Sequence, residues 1–197
     1  MKHIYVLRVN DANNQSKNGF QYPRKGKVSA PDWNPSPECG GGLHGWESGE
    51  GDPSVATIHP DGVWLVLKVE DSPENLVRLD GKVKFREGTV VFAGSRNAAT
   101  AFIYDKTRAP GVLWVNLTGG NHSTLTGGNF STLTGGYRST LTGGYRSTLT
   151  GGNFSTLTWR VWDGLRYRLH TFYTGEAGIK VNTPYRFTDG KIEEVTP

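Results

Sequence analysis

Residues 117–158 read LTGGNHST, LTGGNFST, LTGGYRST, LTGGYRST, LTGGNFST and LT, one eight-residue phrase given five times and begun a sixth. A fixed internal period governs the architecture, because a unit this small cannot bury its own apolar face and must stack on its neighbours. Thr and Leu suit an extended chain, and Gly-Gly interrupts it. Alternation sends Leu125, Leu133, Leu141, Leu149 and Leu157 to one side of each strand and the flanking threonines to the other. Eight residues cannot enclose a core. Two octads can, with a strand on each of two opposed sides and a Gly-Gly corner after each. The spacing therefore predicts sixteen-residue coils over 117–132 and 133–148, with a third begun at Leu149. Strands of successive coils would lie about 4.8 Å apart. The variable pairs would stack vertically: His122 over Arg138 over Phe154, Phe130 over Arg146, Asn121 with Tyr137 and Asn153, and Asn129 beside Tyr145.

Outward from the repeat, the chain divides into three expected parts. Residues 1–111 form an α+β domain, 112–158 the β-solenoid, and 159–197 a β-hairpin cap, so the protein is mainly β. In the first part KHIYVLRV and GVWLVLKVE read as strands. Residues 76–93 read as three strands separated by an Asp80-Gly81 turn and a second turn at Gly88. SRNAATAFIY reads as a helix with Ser95 as its N-cap, stopped by Pro110-Gly111. Residues 30–53, rich in Pro and Gly, show no period and read as a long loop. Beyond the repeat, Asp163-Gly164 and Asp189-Gly190 mark two hairpins that would cover the open edge of the last coil.

The phrase GGYRSTLTGG resembles the octapeptide of bacterial ice-nucleation proteins. The resemblance rests on Tyr137 and Tyr145 and on the pairs Thr124/Thr126, Thr132/Thr134, Thr140/Thr142, Thr148/Thr150 and Thr156/Thr158. It implies a β-solenoid with an outward Thr-x-Thr ladder and a stacked Tyr ladder. Gly replaces that family's usual Ala before Gly, and Asn replaces Tyr at positions 121, 129 and 153. The flanks resemble small phage and prophage proteins that join such an N-terminal domain to a variable run of octads. The phrases concerned are Ala30-Pro-Asp-Trp-Asn-Pro, Cys39-Gly-Gly-Gly-Leu-His-Gly, Gly49-Glu-Gly-Asp52, Leu79-Asp-Gly-Lys-Val-Lys-Phe85 and Trp162-Asp-Gly-Leu-Arg-Tyr-Arg168.

Three groups of residues are candidates for contact with something else. Trp33, Cys39, His44, Trp46, Glu50 and Asp52 lie together in the Gly-rich loop, where flexible backbone can approach an anion. The phosphate-cradling lysine phrase is missing, and Cys39 with His44 makes neither a full nucleophile constellation nor a metal ligand set. His122, Phe130, Tyr137, Arg138, Tyr145, Arg146 and Phe154 form the interaction ladder, suited to bases, nucleotides or acidic groups of a protein partner, or to a second copy of the chain. Arg160, Arg166, Arg168 and His170 form a basic strip.

The single cysteine excludes an internal disulfide, and 22 basic against 18 acidic residues give a net charge of only +4. Nucleic acid is not an expected partner on that charge. The first ten residues carry no apolar run of signal-peptide type, no stretch is long enough to span a membrane, and a location in the cytoplasm of a bacterial host is expected. No cofactor, metal or catalytic residue is assigned. The leading expectation is a non-enzymatic binding protein of phage or prophage type. Its capped solenoid would act as an interaction or dimerisation scaffold, engaging a host factor or sequestering a small anionic ligand as counter-defence. Two alternatives stand beside it: a small nucleotide-binding or catalytic domain using residues 39–52, and a Thr ladder that orders water or ice.

Overall fold

A computed structural model describes residues 2–196, and the chain falls into two compact units, Met1–Ala109 and Pro110–Pro197. The repeat and the segment after it thus belong to one unit.

The first unit contains β1 (His3–Val9), β2 (Gly26–Ser29), β3 (Leu43–Glu47), β4 (Trp64–Glu70), β5 (Leu76–Leu79), β6 (Lys82–Phe85), β7 (Glu87–Gly94) and α1 (Arg96–Thr107). The strands make one seven-stranded sheet in the order β2-β7-β4-β1-β3-β6-β5, antiparallel at each pairing. The central strand β4 reads WLVLKVE and buries side chains on both faces, so it carries an apolar run instead of strict alternation. Ile4, Val6, Leu65, Leu67, Val69, Val83 and Phe85 belong to one core cluster. The helix packs against β1, β4 and β7 through a narrow stripe of Ala99, Thr100 and Ile103. Ser95 Oγ accepts from the Ala98 N–H at 3.4 Å, and Arg108 closes the helix in a left-handed conformation.

Two expectations for this unit are corrected. Residues 30–53 are not one long loop, because β3 lies inside them and fills the space between β1 and β6. LHGWE is too short and too Gly-flanked to announce itself, and its pairing with two distant strands makes it a strand. The second turn lies at Arg86, with Gly88 inside β7. β7 does not fold back on β6; it crosses to pair with β4 and β2. Asn75 holds that crossing, donating to the carbonyls of Glu70 and Glu87 and accepting the Glu87 N–H at 2.9 Å.

The second unit contains β8 (Asn116–Thr118), β9 (Thr124–Thr126), β10 (Thr132–Gly135), β11 (Thr140–Gly143), β12 (Thr148–Gly151), β13 (Thr156–Trp162), β14 (Tyr167–Tyr173), β15 (Pro184–Thr188) and β16 (Lys191–Glu194). Alternate octads pair with each other. β8, β10 and β12 run parallel in one sheet, and β9, β11 and β13 in another. The register joins Leu133 to Leu149 and Leu141 to Leu157, a sixteen-residue step. Leu133, Leu141, Leu149 and Leu157 are fully buried between the sheets. After the last octad the pairing turns antiparallel: β14 joins β13, β15 joins β12, and β16 joins β15.

Candidate functional site

Of the N-terminal candidates, Trp46 and Asp52 fasten the segment after β3 to the sheet. Trp46 is buried beside Trp64, and its indole N–H donates to the Asp52 carbonyl at 2.8 Å. The Asp52 carboxylate accepts from the N–H and hydroxyl of Ser54. Lys84, which the sequence did not single out, is fully buried; its ammonium donates to the Ser36 and Glu38 carbonyls at 2.6 and 2.9 Å and lies 6.0 Å from the Trp33 ring. Cys39 is exposed.

His44 sits on β3 opposite Lys84, with Nε2 buried and unpartnered among the described residues. Burial first, then the charges of Lys82, Arg8 and Lys84, push its pKa down to about 4 from 6.5. The unfolded chain therefore takes up a proton that the folded chain refuses. This contribution to stability is present above pH 6.5 and is lost as pH falls towards 4. The denaturation midpoint is expected to drop across that window, with a shallower drop for His44→Gln. Equal slopes in both proteins would remove His44 as the source.

In the repeat, the residue before each Ser takes a left-handed backbone: His122, Phe130, Arg138, Arg146 and Phe154 all have φ between 54° and 61°. This conformation turns the chain between the Gly-Gly corner and the next strand. It also changes the expected ladder. The His122 N–H donates to the Tyr137 carbonyl at 2.7 Å, Phe130 to Tyr145 at 2.9 Å, and Arg138 to Asn153 at 2.9 Å. Three ring pairs of the phrase therefore meet diagonally, whereas Arg138 keeps the expected vertical place over Phe154. His122 meets Tyr137 at 5.6 Å, Tyr137 meets Phe154 at 5.8 Å, and Phe130 meets Tyr145 at 6.0 Å, each edge to face. The Arg138 guanidinium lies 5.1 Å from Tyr137 and 6.0 Å from Phe154, and Arg146 lies 5.4 Å from Tyr145. Where Asn replaces Tyr it has a structural task. Asn121 and Asn129 each accept the N–H of the tyrosine sixteen residues on, at 3.0 and 2.9 Å.

The serines form two internal columns that sequence reasoning missed. Ser131 N–H donates to Ser147 Oγ, Ser139 N–H to Ser155 Oγ, and Ser155 N–H to Thr174 Oγ1 at 2.8 Å. The column through Ser139 and Ser155 thus ends on a residue outside the repeat. The other column, through Ser131 and Ser147, points to a start of the repeat earlier than the phrase suggests. Trp114 is left-handed like His122, its ring stacks on Phe130 at 6.1 Å, and the Val112 carbonyl accepts from Ser131 as Gly120 does from Ser139. Residues 111–118 are therefore a degenerate octad.

The threonines face outward in rows: Thr124, Thr140 and Thr156, and Thr126, Thr142 and Thr158, on one sheet. Thr132 and Thr148, and Thr118, Thr134 and Thr150, lie on the other. The rows are short. Tyr173 and Thr171 succeed them on one side, Arg186 and Pro184 on the other. The basic residues do not lie on one face. Arg160 pairs with Leu169 and covers the Tyr167 ring at 4.1 Å, whereas Arg168 is opposite Val161 and binds Asp163 at 2.6 Å. His170 stacks on Phe187, 4.1 Å between centroids.

Among known proteins, the chain is similar to bacterial ice nucleation proteins. It is 45% identical over 100 residues to ice nucleation protein InaU of Pantoea ananas and 47% identical over 103 residues to the ice nucleation protein of Xanthomonas campestris pv. translucens. For the ice nucleation protein of Pseudomonas fluorescens the figures are 41% and 102 residues. These alignments cover 51 to 52% of this chain but only 7 to 10% of each relative. No family model and no solved structure matches the chain.

Proposed function

We propose that residues 110–196 work as a short β-solenoid, closed at its last coil by the two C-terminal hairpins, and that it is a non-enzymatic interaction scaffold. The sixteen-residue parallel register carries this reading, since it buries one Leu column per sheet and leaves flat Thr rows and aromatic corners outside. The similarity to ice nucleation proteins supports a repeat whose role is to present a surface. The corner of His122, Tyr137 and Phe154 suits a second copy, because Phe154 is 64% exposed at its end. Within this proposal the flanking phrases support a phage or prophage protein that meets its partner inside the bacterial host.

A second reading is favoured by the Thr rows themselves: a regular hydroxyl lattice that orders water, as the names of the similar proteins suggest. Sedimentation velocity and thermal hysteresis separate the two. The scaffold reading expects a concentration-dependent dimer, weakened about tenfold by Phe154→Asn, a residue that tolerates the left-handed turn. A monomer at all concentrations that shows thermal hysteresis would replace it with the second reading.

A further inference from the structure

We propose that the hairpin of β13 and β14 is a membrane-contact element, its Trp162 and Leu165 seating in the interface of an anionic lipid surface with Arg160 and Arg166 among the headgroups. The proposal goes beyond the scaffold reading and does not depend on it.

The element exists because β13 outruns the repeat. β11 ends at Gly143, which pairs with Trp159, and β13 continues through Arg160 and Val161 to Trp162. Asp163-Gly164 turns the chain, and β14 returns with Tyr167 opposite Trp162 and Leu169 opposite Arg160. Residues 160–169 therefore form a two-stranded ribbon that pairs only with itself. Trp162 is 54% exposed, Leu165 72%, Tyr167 53% and Leu169 66%. Single exposed apolar residues need no explanation, but these four fall within residues 162–169 and make a patch that marks a contact. The pairing puts Trp162, Tyr167, Leu169 and Arg160 on one face, where the Trp162 and Tyr167 rings meet edge to face at 5.2 Å.

Charge identifies the occupant. Between residues 159 and 173 Arg160, Arg166 and Arg168 face a single acid, Asp163. Asp163 is already occupied: it accepts the N–H groups of Leu165 and Arg166 and pairs with Arg168 at 2.6 Å. Arg160 and Arg166 have no ion pair among the described residues, so the hairpin keeps two uncompensated positive charges. Asp189 lines the cleft beside Trp162, and Arg146, over the Tyr145 ring of the same cleft, offsets it. Tryptophan and tyrosine suit a boundary between lipid and water, with an apolar ring on one side and a polar edge on the other. Arginine lays its stem along the apolar layer and keeps its charge in the headgroups. Apolar burial and attraction to anionic lipid then add together. A second copy fits worse, because its hairpin would bring the same arginines against these.

The test is flotation of the full chain with vesicles of mixed phosphatidylcholine and phosphatidylglycerol, and with vesicles of phosphatidylcholine alone. Binding to the anionic vesicles is expected to be about tenfold the stronger at low salt, and to fall as salt is added. Leu165→Asp is expected to weaken it about tenfold with Tm unchanged, since that side chain is the most exposed of the patch. Arg166→Gln is expected to weaken it about fivefold, the worth of one positive charge at an anionic surface. Lipids brominated in their acyl chains should quench part of the tryptophan emission of the parent protein, and that part should be missing from Trp162→Phe. No flotation with anionic vesicles, equal flotation with both kinds, an unchanged Leu165→Asp protein, or binding without quenching would each overturn the proposal. A dimer in sedimentation that Leu165→Asp abolishes, without any flotation, would give the surface to a second copy instead.

Discussion

Gly152→Ala is expected to destabilise the second unit by about 3 kcal/mol, at the upper end of what overpacking costs. The reason is the backbone of the octad two before it. A methyl group on Gly152 would lie 2.6 Å from the Gly136 carbonyl carbon, 2.7 Å from the Tyr137 nitrogen and 2.8 Å from the Gly136 oxygen. All three are backbone atoms, so no rotamer change relieves the contact. The stacked octads would have to part, and the Gly152 N–H would lose its 2.9 Å bond to the Gly135 carbonyl. Gly152 has no left-handed φ, so the constraint is proximity and not conformation. Gly120 occupies the same place in the first octad of the phrase, and a methyl there meets nothing within 4 Å. Gly120→Ala is expected to stay within about 0.5 kcal/mol of the parent protein. Urea denaturation of the pair checks the argument. Equal losses at both positions would show that stacking distance is not what the second glycine serves.

Trp159→Ala is expected to cost about 3–5 kcal/mol, the range for removing a buried aromatic side chain. Trp159 is wholly buried where the Gly corner would otherwise fall. Its ring fills the end of the core between Phe172 of β14 and Phe187 of β15, at centroid distances of 6.0 and 6.4 Å. Its indole N–H donates to the Ser147 carbonyl at 2.8 Å, which ties both hairpins to the preceding coil. Trp159→Phe keeps most of the packing and loses the bond, and its expected cost is about 1–2 kcal/mol. Limited proteolysis should cut the alanine variant within residues 160–196 before it cuts the repeat. Cleavage in the repeat first would contradict the role given to Trp159.

How much of this was legible depends on how local the signal is. SRNAATAFIY announces a helix because Ser95 can cap it and Ala99 and Ile103 recur at helical spacing. The helix runs on to Thr107, past the stretch read as helical, because nothing before Arg108 interrupts it. β3 was illegible because its pairing partners are β1 and β6, far away in sequence. The degenerate octad at 111–118 was illegible for another reason. Val112 and Val115 stand where the phrase has Gly and Ser, and only the backbone bonds of Val112 and the turn at Trp114 reveal the shared phase. Among the candidate residues, the period alone gives which ladder positions recur, and the turn geometry decides which rings meet. Trp46 could not be placed from sequence, since a tryptophan in a Gly-rich stretch looks available until its burial beside Trp64 is seen. Lys84 carried no signal: one lysine in KVKF looks like a solvated strand residue, yet its ammonium is satisfied by the carbonyls of the loop above it.

By itself the sequence determined the period, the sixteen-residue register and which side of each repeat strand is buried. These follow from strand alternation and from stacking like on like, and both act through spacing along the chain. The tertiary structure alone decided the rest. It set three ring pairs of the ladder diagonally, through left-handed residues whose N–H groups reach the octad after next. It ended one of the two serine columns on Thr174 and left a cleft beside Tyr145 where β13 runs on without a corner. The diagonal needs the backbone turn that spacing alone does not specify, and the other two features depend on contacts with residues outside the repeat.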